Sequence, residues 1–448
     1  MLPSLKKWLV APSPQQGLAA LVLLGSCYLL GYQAEQSAFG LILTAYTVAF
    51  ATYAWQVSQA REAQLLFWLC IALLLRLVLL GAFPVLSDDI YRFIWDGRLW
   101  LAGRNPFDQL PVWYLTADPQ IPGLSQALFD QLNSPEYHTI YPPVAQFCFT
   151  LACWLSPQSI TGAAVVLKLI LILADVGSVL LLLKLLTAWS LPRTRVLWYA
   201  LNPLMIVELV GNLHFEGVMI FFLLLGTWLL TQARWWPSAV AMALAVASKL
   251  LPLVFFPFLV RRLGWQRSVA YFAVVGGVTL LLWWPLWSTS FATNFGSSIN
   301  LYFRQFEFNA SLFYLLKGLG YHWEGQNLIK IIGPCLALLV LLVILLRTAL
   351  DRAKSWSSLP GLWLFAIAVY LCCATTVHPW YTALPLVLCV FTPYRWPVLW
   401  SGLIVLSYYT YITPAFLENY WLVGLEYGLV VGYGSWEWWR LRTGALVG

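Results

Sequence analysis

The stretch AAVVLKLILILADVGSVLLLLKLL, residues 163–186, decides the fold class of this chain. It is apolar over the roughly 20 residues that a helix needs to cross a bilayer. The rest of the chain has the same character, since 61% of its 448 residues are hydrophobic and only 10% are charged. A soluble globular protein carries about 25% charged residues. The composition therefore indicates an all-α polytopic membrane protein and excludes an ordinary soluble enzyme, a disordered chain and a nucleic-acid binder.

Apolar runs of this kind predict about 13 or 14 transmembrane segments within one membrane-embedded domain, residues 1–448. The full-length runs are 17–33, 38–57, 63–83, 163–186, 196–211, 214–231, 268–286, 327–347, 360–376, 397–412 and 420–437, and shorter pieces are 236–248, 250–260 and 382–392. The run after Lys6 and Lys7 is expected to be a first span rather than a cleaved signal. Because lysine and arginine concentrate in cytoplasmic loops, these two residues place the N-terminus in the cytoplasm.

Because successive spans cross the membrane in opposite directions, this orientation leaves two long loops outside the cytoplasm, at 84–160 and 287–326. Residues 143–160 are expected to form a re-entrant or juxtamembrane segment, since a full span there would move Arg193 and Arg195 outside. Long polar loops beside membrane spans are commonly functional. The first loop holds Asp88, Asp89, Asp96, Asp108, Asp118, Asp130 and Glu136, and the second holds Arg304, Glu307, His322 and Glu324.

The first loop opens with SDDIYRFIWDGRLWLAGRNPF, residues 87–107. Asp88 and Asp89 follow a predicted span directly, so they lie at the membrane surface, where poor solvation raises a carboxyl pKa. A carboxylate of that kind is suited to accept the proton of an acceptor hydroxyl. The alternative is an ordinary helix start, with Ser87 as the N-cap and the aspartates favoured by the helix dipole.

Polar side chains continue through this loop. On a helix that starts near residue 87, Arg92 and Asp96 share a face with Asp89, and GRNPF is expected to end that helix. The later stretch NSPEYHTIYPP, residues 133–143, brings His138 and Tyr141 to the membrane surface, and its two prolines favour an extended backbone. The loop therefore carries a candidate polar site rather than a simple connection.

These motifs resemble those of the GT-C superfamily of membrane glycosyltransferases, which use a polyprenyl-phosphate sugar as donor. The likeness is greatest to proteins assigned as bacterial mannosyltransferases, and it is more distant to the first mannosyltransferase of GPI-anchor synthesis. The matching positions are Asp88, Tyr91 and Asp96, then Gly103 to Phe107, then Tyr141, Pro142 and Pro143. Ile90 stands where the eukaryotic pattern has a second aspartate, so the resemblance favours Asp88 as the base with Asp89 a near equal.

The resemblance continues downstream in three further motifs. Ser248-Lys249-Leu250-Leu251-Pro252 is similar to the family's Lys-x-x-Pro between two short helices. His378-Pro379-Trp380-Tyr381 is similar to a late His/Trp-Tyr element, and Asn212-Leu213-His214-Phe215-Glu216 to an Asn-x-His motif of the bacterial members. The likeness extends from residue 86 to residue 390. All four histidines (His138, His214, His322 and His378) lie on the outer side in the predicted topology.

Lys249 is the strongest candidate for binding the donor phosphate. It is a lone charge in an apolar run, where charges are costly and usually functional, and Pro252 breaks the helix beyond it. A cation there would stabilise the phosphate leaving group, and a helix N-terminus exposed by the break would add to this. The alternative is snorkelling of the side chain to the headgroups. Arg304 is a second candidate by location only, and an ordinary loop arginine explains it equally well.

The resemblance implies an inverting glycosyltransferase of a bacterial cytoplasmic membrane. It would move a hexose, with mannose favoured, from a polyprenyl-phosphate donor to an extracytoplasmic lipid, glycan or protein acceptor. Asp88 or Asp89 would be the catalytic base, and Lys249 and Arg304 would bind the donor phosphate. The expected substrate-binding residues are Tyr91, Arg92, Asp96, His138, Tyr141, His214, Glu216, His378, Trp380 and Tyr381.

No metal site and no cofactor is predicted, because His214 and Glu216 are two apart and the adjacent aspartates cannot face one ion from a helix. Some relatives use a divalent cation, which leaves that question open. The alternative function is a transporter or flippase of a lipid-linked sugar. Against it, the two halves of the chain show no matching pair of interrupted spans, and the charges gather at one membrane face rather than at the midplane.

Overall fold

The computed structural model describes residues 12–116 and 121–444, without the side chains of 301–303. Within these ranges the regular structure is helical, apart from one isolated bridge between Phe308 and Thr376. The α-helices are α1 Pro14–Tyr32, α2 Phe39–Ser58, α3 Leu65–Val78, α4 Asp89–Leu101, α5 Pro111–Thr116, α6 Gln126–Phe129, α7 Pro143–Leu155, α8 Ile160–Ala188, α9 Leu197–Ala200, α10 Glu216–Thr231, α11 Trp235–Ser248, α12 Val260–Leu263, α13 Trp265–Trp283, α14 Phe291–Arg304, α15 Leu312–Glu324, α16 Ile329–Leu350, α17 Leu359–Cys373, α18 Ala383–Cys389, α19 Trp396–Leu403 and α20 Tyr420–Thr443.

Tighter and wider helical turns interrupt this series. A π-helix spans Met205–Gly211, directly before the bend that leads to α10. The 3₁₀-helices are Glu62–Gln64, Arg193–Val196, Leu251–Leu259, Trp284–Leu286, Trp356–Ser358, Pro379–Thr382 and Ile404–Ile412. Such turns are frequent where helices end or where side chains of a functional site must be placed.

Four helical stretches in the described residues are long and apolar enough to cross a membrane alone, namely Ile160–Ala188, Trp265–Leu286, Ile329–Leu350 and Trp356–Cys373. The π-helix and α10 meet at an angle of 108° and make a fifth if they are counted as one broken span. The predicted fold class, an all-α polytopic membrane protein, is confirmed. The count of about 13 or 14 crossings stays a prediction. Predicted spans such as 63–83 and 196–211 are shorter or interrupted helices in the structure.

Two basic side chains inside the helical body, Arg76 and Lys168, bond protein groups. Arg76 on α3 forms an ion pair with Asp175 on α8, with 2.6 Å between Nε and Oδ2. Lys168 donates from Nζ to the carbonyl oxygens of Leu79, at 2.8 Å, and Ala82, at 2.5 Å. These carbonyls lie at the end of α3, where helical partners run out. Both contacts fix the end of α3 against α8, just before the segment that carries the candidate carboxylates.

Helix α4 packs closely on α7 because Gly97 lies in the interface. A methyl group at this position would come within 2.5 Å of the Phe149 carbonyl oxygen and 2.7 Å of Cys153 Sγ. Real contacts of a Cβ atom are longer, and the carbonyl belongs to the backbone of α7, which moves only with the whole helix. The absence of a side chain at Gly97 therefore sets how near the first outer loop approaches the membrane helices.

Replacing Gly97 with alanine is expected to destabilise the protein by about 1–3 kcal/mol, the usual effect of overpacking a tight interface. The measurement is the midpoint of thermal unfolding of the purified protein in detergent. Gly25→Ala is the matched control, because no atom lies within 4 Å of the added methyl group in helix α1. Equal unfolding midpoints for the two variants would show that α4 and α7 can separate freely.

Candidate active site

The first element of the site is the start of α4, where Asp88 is the N-cap residue. An aspartate at this position normally accepts an N–H of the first helical turn, but the Asp88 side chain accepts none. Ser87, expected to be the N-cap, lies one residue earlier and accepts the Asp89 N–H at 3.4 Å. Helix capping therefore does not account for an aspartate at position 88, whose carboxylate is exposed. Partial loss of solvent raises its pKa above the ordinary aspartate value.

Asp89 points into the interior of the site. Its Oδ1 accepts the Asn133 amide at 3.0 Å, and the Tyr141 hydroxyl lies near the carboxylate. Burial raises the pKa of Asp89, and the hydrogen bond from Asn133 and the charge of Lys249 oppose this rise. Pro142, the N-cap residue of α7, has the extended backbone that the proline pair predicts, and Tyr141 directly precedes it. The carboxylate of Asp89 is therefore already occupied, unlike that of Asp88.

Lys249 follows the last residue of α11 in an extended backbone conformation. Its Nζ donates to Glu216 Oε1 and lies 4.5 Å from the centre of the Tyr381 ring. The Lys249 side chain is 32% exposed and that of Glu216 only 3%. The ammonium is thus held inside the protein rather than extended to the headgroups. Lys249 lies between the C-terminus of α11 and the N-terminus of the 3₁₀-helix Leu251–Leu259, so a helix N-terminus follows it as the break in the sequence predicts.

A stack of four rings forms another wall. Ring centres are 4.9 Å apart between Phe308 and His378, 4.5 Å between His378 and Trp380, and 3.5 Å between Trp380 and His214. The backbone bridge between Phe308 and Thr376 holds the first two rings beside each other. Burial lowers the pKa of His378 to about 3, so this ring is neutral near pH 7. The stack joins Phe308 of the second outer loop to the 3₁₀-helix Pro379–Thr382 and to the segment directly before α10.

Glu208 in the π-helix connects the remaining parts. Its Oε1 accepts the Tyr408 hydroxyl at 2.6 Å, and its Oε2 accepts the Asn212 amide at 3.3 Å. Its backbone oxygen lies 2.9 Å from His214 Nδ1. Asn212 Oδ1 in turn accepts the N–H of Leu86 at 3.3 Å. This network ties the bend before α10 to the segment that leads into α4.

Sequence reasoning did not single out several residues of this site. Glu208 carried a usable signal, since it is a lone acidic residue within the predicted span 196–211. Asn133, Tyr408 and Tyr411 carried none. Tyr411 packs 5.7 Å from Phe308 and lies within the electrostatic influence of both candidate carboxylates. Only the packing of the 3₁₀-helix Ile404–Ile412 on the site reveals these tyrosines.

Arg92 and Asp96 are expected from the sequence to bind substrate, but in the structure their side chains bond other groups of the protein. Asp96 is fully buried and bonds Arg92 Nε at 3.0 Å, Thr139 Oγ1 at 2.5 Å and Gln146 Nε2 at 2.8 Å. Arg92 also donates to the carbonyl oxygen of Tyr137 at 3.0 Å. Both side chains are therefore committed to protein partners. They hold the segment before Tyr141 against α4.

Asp96→Asn is expected to destabilise the protein by about 3–5 kcal/mol, because the Arg92 guanidinium would remain buried without its counter-ion. The measurement is thermal or denaturant unfolding of the purified variant. Asp130→Asn is the matched control, since Asp130 belongs to the same outer loop but is exposed. If the two variants unfolded alike, Asp96 would not hold this loop together.

The remaining predicted residues lie at the edge of the cluster or outside it. The structure brings together Asp88, Asp89, Tyr141, His214, Glu216, Lys249, His378, Trp380 and Tyr381. Tyr91 packs 6.1 Å from Phe83 at the rim. The His138 backbone oxygen accepts the Ser298 hydroxyl at 3.1 Å, which places α14 over this part of the loop. Arg304 is exposed at the end of α14, and none of the described contacts joins it to the cluster.

The arrangement combines an exposed carboxylate, a fixed ammonium and a wall of neutral rings beside apolar helices. These groups can accept a proton, stabilise a phosphate and pack against the face of a sugar. In the part of the chain that the structure describes, no group of three histidine, cysteine, aspartate or glutamate side chains could hold a metal ion.

Residues 12–265 match the family described as "alpha-(1->6)-mannopyranosyltransferase, N-terminal domain". The chain belongs to this family. The match confirms the resemblance to bacterial mannosyltransferases that the motifs indicate. Within the family region lie both candidate carboxylates, the π-helix and Lys249, whereas His378 and Trp380 lie beyond it.

Two curated relatives carry the name alpha-(1->6)-mannopyranosyltransferase A. The protein of Corynebacterium glutamicum is 24% identical over 192 residues, which are 41% of this chain and 36% of the relative. The protein of Mycobacterium tuberculosis is 27% identical over 227 residues, which are 46% of this chain and 40% of the relative. The aligned region thus spans well under half the length of these relatives.

Proposed function

We propose that this protein is a membrane mannosyltransferase that uses a polyprenyl-phosphate mannose as donor. The observation that carries the proposal is the unoccupied Asp88 carboxylate at the start of α4, directly before Asp89, whose carboxylate feels the charge of the Lys249 ammonium that Glu216 holds in place. A lipid-linked phosphate matches both the charge and the apolar surroundings. The names of the family and of its relatives support mannose as the sugar. The acceptor is a hydroxyl group of a lipid, glycan or protein.

In the proposed reaction, Asp88 acts on the acceptor and Lys249 acts on the donor phosphate. Asp88 accepts the proton of the acceptor hydroxyl as its oxygen bonds to the anomeric carbon of mannose. The bond from that carbon to the phosphate oxygen breaks, and the electron pair leaves with the polyprenyl phosphate. Lys249 stabilises the charge that develops on the leaving phosphate. Attack opposite the leaving group inverts the anomeric configuration.

The site is proposed to face the extracytoplasmic side of a bacterial cytoplasmic membrane. Two arginines that are expected in different cytoplasmic loops support this orientation by meeting at one tryptophan ring. Arg195 and Arg395 both lie over the Trp198 ring, at 5.3 Å and 4.0 Å from its centre. A common surface for distant basic loops is what the positive-inside rule requires.

Turnover of the donor by the purified protein tests the proposal. Polyprenyl-phosphate mannose with a radiolabelled sugar is incubated with the protein in detergent, with and without membrane lipid extract as a source of acceptor. We expect release or transfer of label, and little reaction with a polyprenyl-phosphate glucose or with a nucleotide-linked mannose. Movement of intact donor across proteoliposomes without cleavage would overturn the proposal in favour of a transporter.

The rate of transfer is expected to fall at acidic pH. Asp88 must be ionised to act as a base, and loss of solvent raises its pKa. The acidic limb of the kcat/KM profile, which reports the protein without substrate, should therefore lie at higher pH than the ordinary aspartate value of about 3.9. A profile measured between pH 4 and pH 8 checks this, and an acidic limb at or below the ordinary value would contradict Asp88 as the base.

A further inference from the structure

The bend before α10 is built around one histidine. The chain turns by 108° between the π-helix and α10, and Leu213 at the turn has a positive φ of 64°. A branched residue rarely adopts this backbone region, and such strain persists only where the surroundings enforce it. The next residue, His214, has a side chain only 3% exposed. An unusual backbone thus places a buried imidazole inside the site.

The hydrogen bonds of His214 determine which ring nitrogen carries the proton. Nδ1 lies 2.9 Å from the backbone oxygen of Glu208, which can only accept a hydrogen bond. Nδ1 must therefore carry the proton and donate it. The ring is buried next to the Lys249 ammonium, and both conditions favour its neutral form. Nε2 then offers a lone pair to a donor.

That lone pair has no protein partner. Nε2 of His214 is shielded from solvent, and among the described residues no hydrogen-bonding group reaches it. Buried polar atoms are almost always paired, so an unpaired one in a candidate site points to a ligand. The stack of Trp380 on the imidazole, with 3.5 Å between ring centres, prevents the ring from turning away.

We propose that His214 Nε2 accepts a hydrogen bond from a hydroxyl of the transferred sugar, and that Glu208 is the residue that positions it. The inference rests on the proposed function and names the part of the donor that this atom recognises. A polyprenyl-phosphate sugar has hydroxyl groups only on its sugar, since the tail has none and the phosphate is ionised. Glu216, two residues after His214, binds the Lys249 ammonium, which is proposed to meet the donor phosphate. The donor sugar, which is attached to that phosphate, is therefore expected to lie nearer to His214 than the acceptor does.

Deoxy donors test this assignment. The rates of release from polyprenyl-phosphate mannose and from its 2-, 3-, 4- and 6-deoxy analogues are measured without acceptor, so that water receives the sugar. We expect wild type to prefer the full donor over one analogue by about 10- to 100-fold in kcat/KM. In His214→Asn the amide can still bond the Glu208 carbonyl but nothing replaces Nε2, and this one preference should disappear.

His214→Gln places an amide oxygen near the position of Nε2 and should retain part of the preference. His322→Asn is the matched control, because His322 is exposed on α15 and should leave all ratios unchanged. Glu208→Gln should keep this preference, because the group of Glu208 that bonds Nδ1 is its backbone oxygen. A role in stability alone would lower all rates together and leave the ratios as they are.

Each outcome decides between the two proposals. If wild type is active and His214→Asn keeps every preference of wild type, the inference about His214 is overturned and the proposed function stands. If His214→Asn loses discrimination only between acceptors, when these are supplied, the hydroxyl belongs to the acceptor and the donor assignment is wrong. If wild type neither transfers nor releases mannose, the proposed function fails and this inference fails with it.

Discussion

Asp88→Asn is expected to lower the rate of mannosyl transfer by about 10²- to 10⁴-fold, the contribution of a well-placed general base. Asparagine keeps the shape of the side chain but cannot accept the acceptor proton. The fold should not suffer. A raised pKa means that the native state disfavours the ionised carboxyl, so a neutral replacement removes an unfavourable interaction at pH 7. The measurement is kcat at saturating donor, together with the unfolding midpoint of the variant.

Asp89→Asn is the control that assigns the base. The Asp89 carboxylate already accepts a hydrogen bond from Asn133, so its loss should affect the geometry of the site more than proton transfer. We expect a smaller decrease in kcat than for Asp88→Asn. A larger decrease in kcat for Asp89→Asn would identify Asp89 as the base. If both variants kept the wild-type rate, neither aspartate would be the base.

Lys249→Gln is expected to lower kcat by about 10²- to 10³-fold, the effect of removing one group that stabilises a developing anion. It should also destabilise the protein, because the buried Glu216 carboxylate would lose its counter-ion. Breaking a fully buried ion pair costs about 3–5 kcal/mol. The effect here should be smaller, since the Lys249 side chain is 32% exposed and solvent screens part of the interaction. Steady-state kinetics and thermal unfolding measure the two effects.

The double variant Glu216→Gln with Lys249→Gln separates function from stability. Without the carboxylate no buried charge is left unpaired, so the unfolding midpoint should return toward that of wild type. The transfer rate should stay low, because the ammonium that meets the phosphate is still missing. Recovery of transfer in the double variant would mean that Lys249 serves only to neutralise Glu216.

The sequence predicts the parts of this protein that depend on local composition. The apolar runs determine the fold class, and Ser87 to Phe107 show where an amphipathic helix begins and ends. Lys249 is noticed because a charge in an apolar run is rare. Helix α4 ends at Leu101, and Gly103, with a φ of 71°, turns the chain as the GRNPF motif indicates.

The sequence does not predict which distant side chains meet. Arg92 and Asp96 share a helical face with Asp89, yet Thr139 and Gln146 draw that pair into the protein. The orientation of a helix about its axis depends on what packs beside it, and one sequence does not contain that information. The pairing of Lys249 with Glu216 is likewise not predictable from the sequence. This contact depends on both the extended backbone at Lys249 and the bend before α10.

The ring stack has a consequence for the synthesis of this protein. His214 belongs to the family region, whereas its neighbours Trp380 and His378 emerge from the ribosome much later. Until those rings arrive, the imidazole lacks the surface that fixes it, although both carboxylates and Lys249 have already been synthesised. A chain whose translation stops after Lys249 but before His378 would contain every charged group of the proposed reaction and still lack a finished site. Incomplete chains should therefore consume no lipid-linked donor.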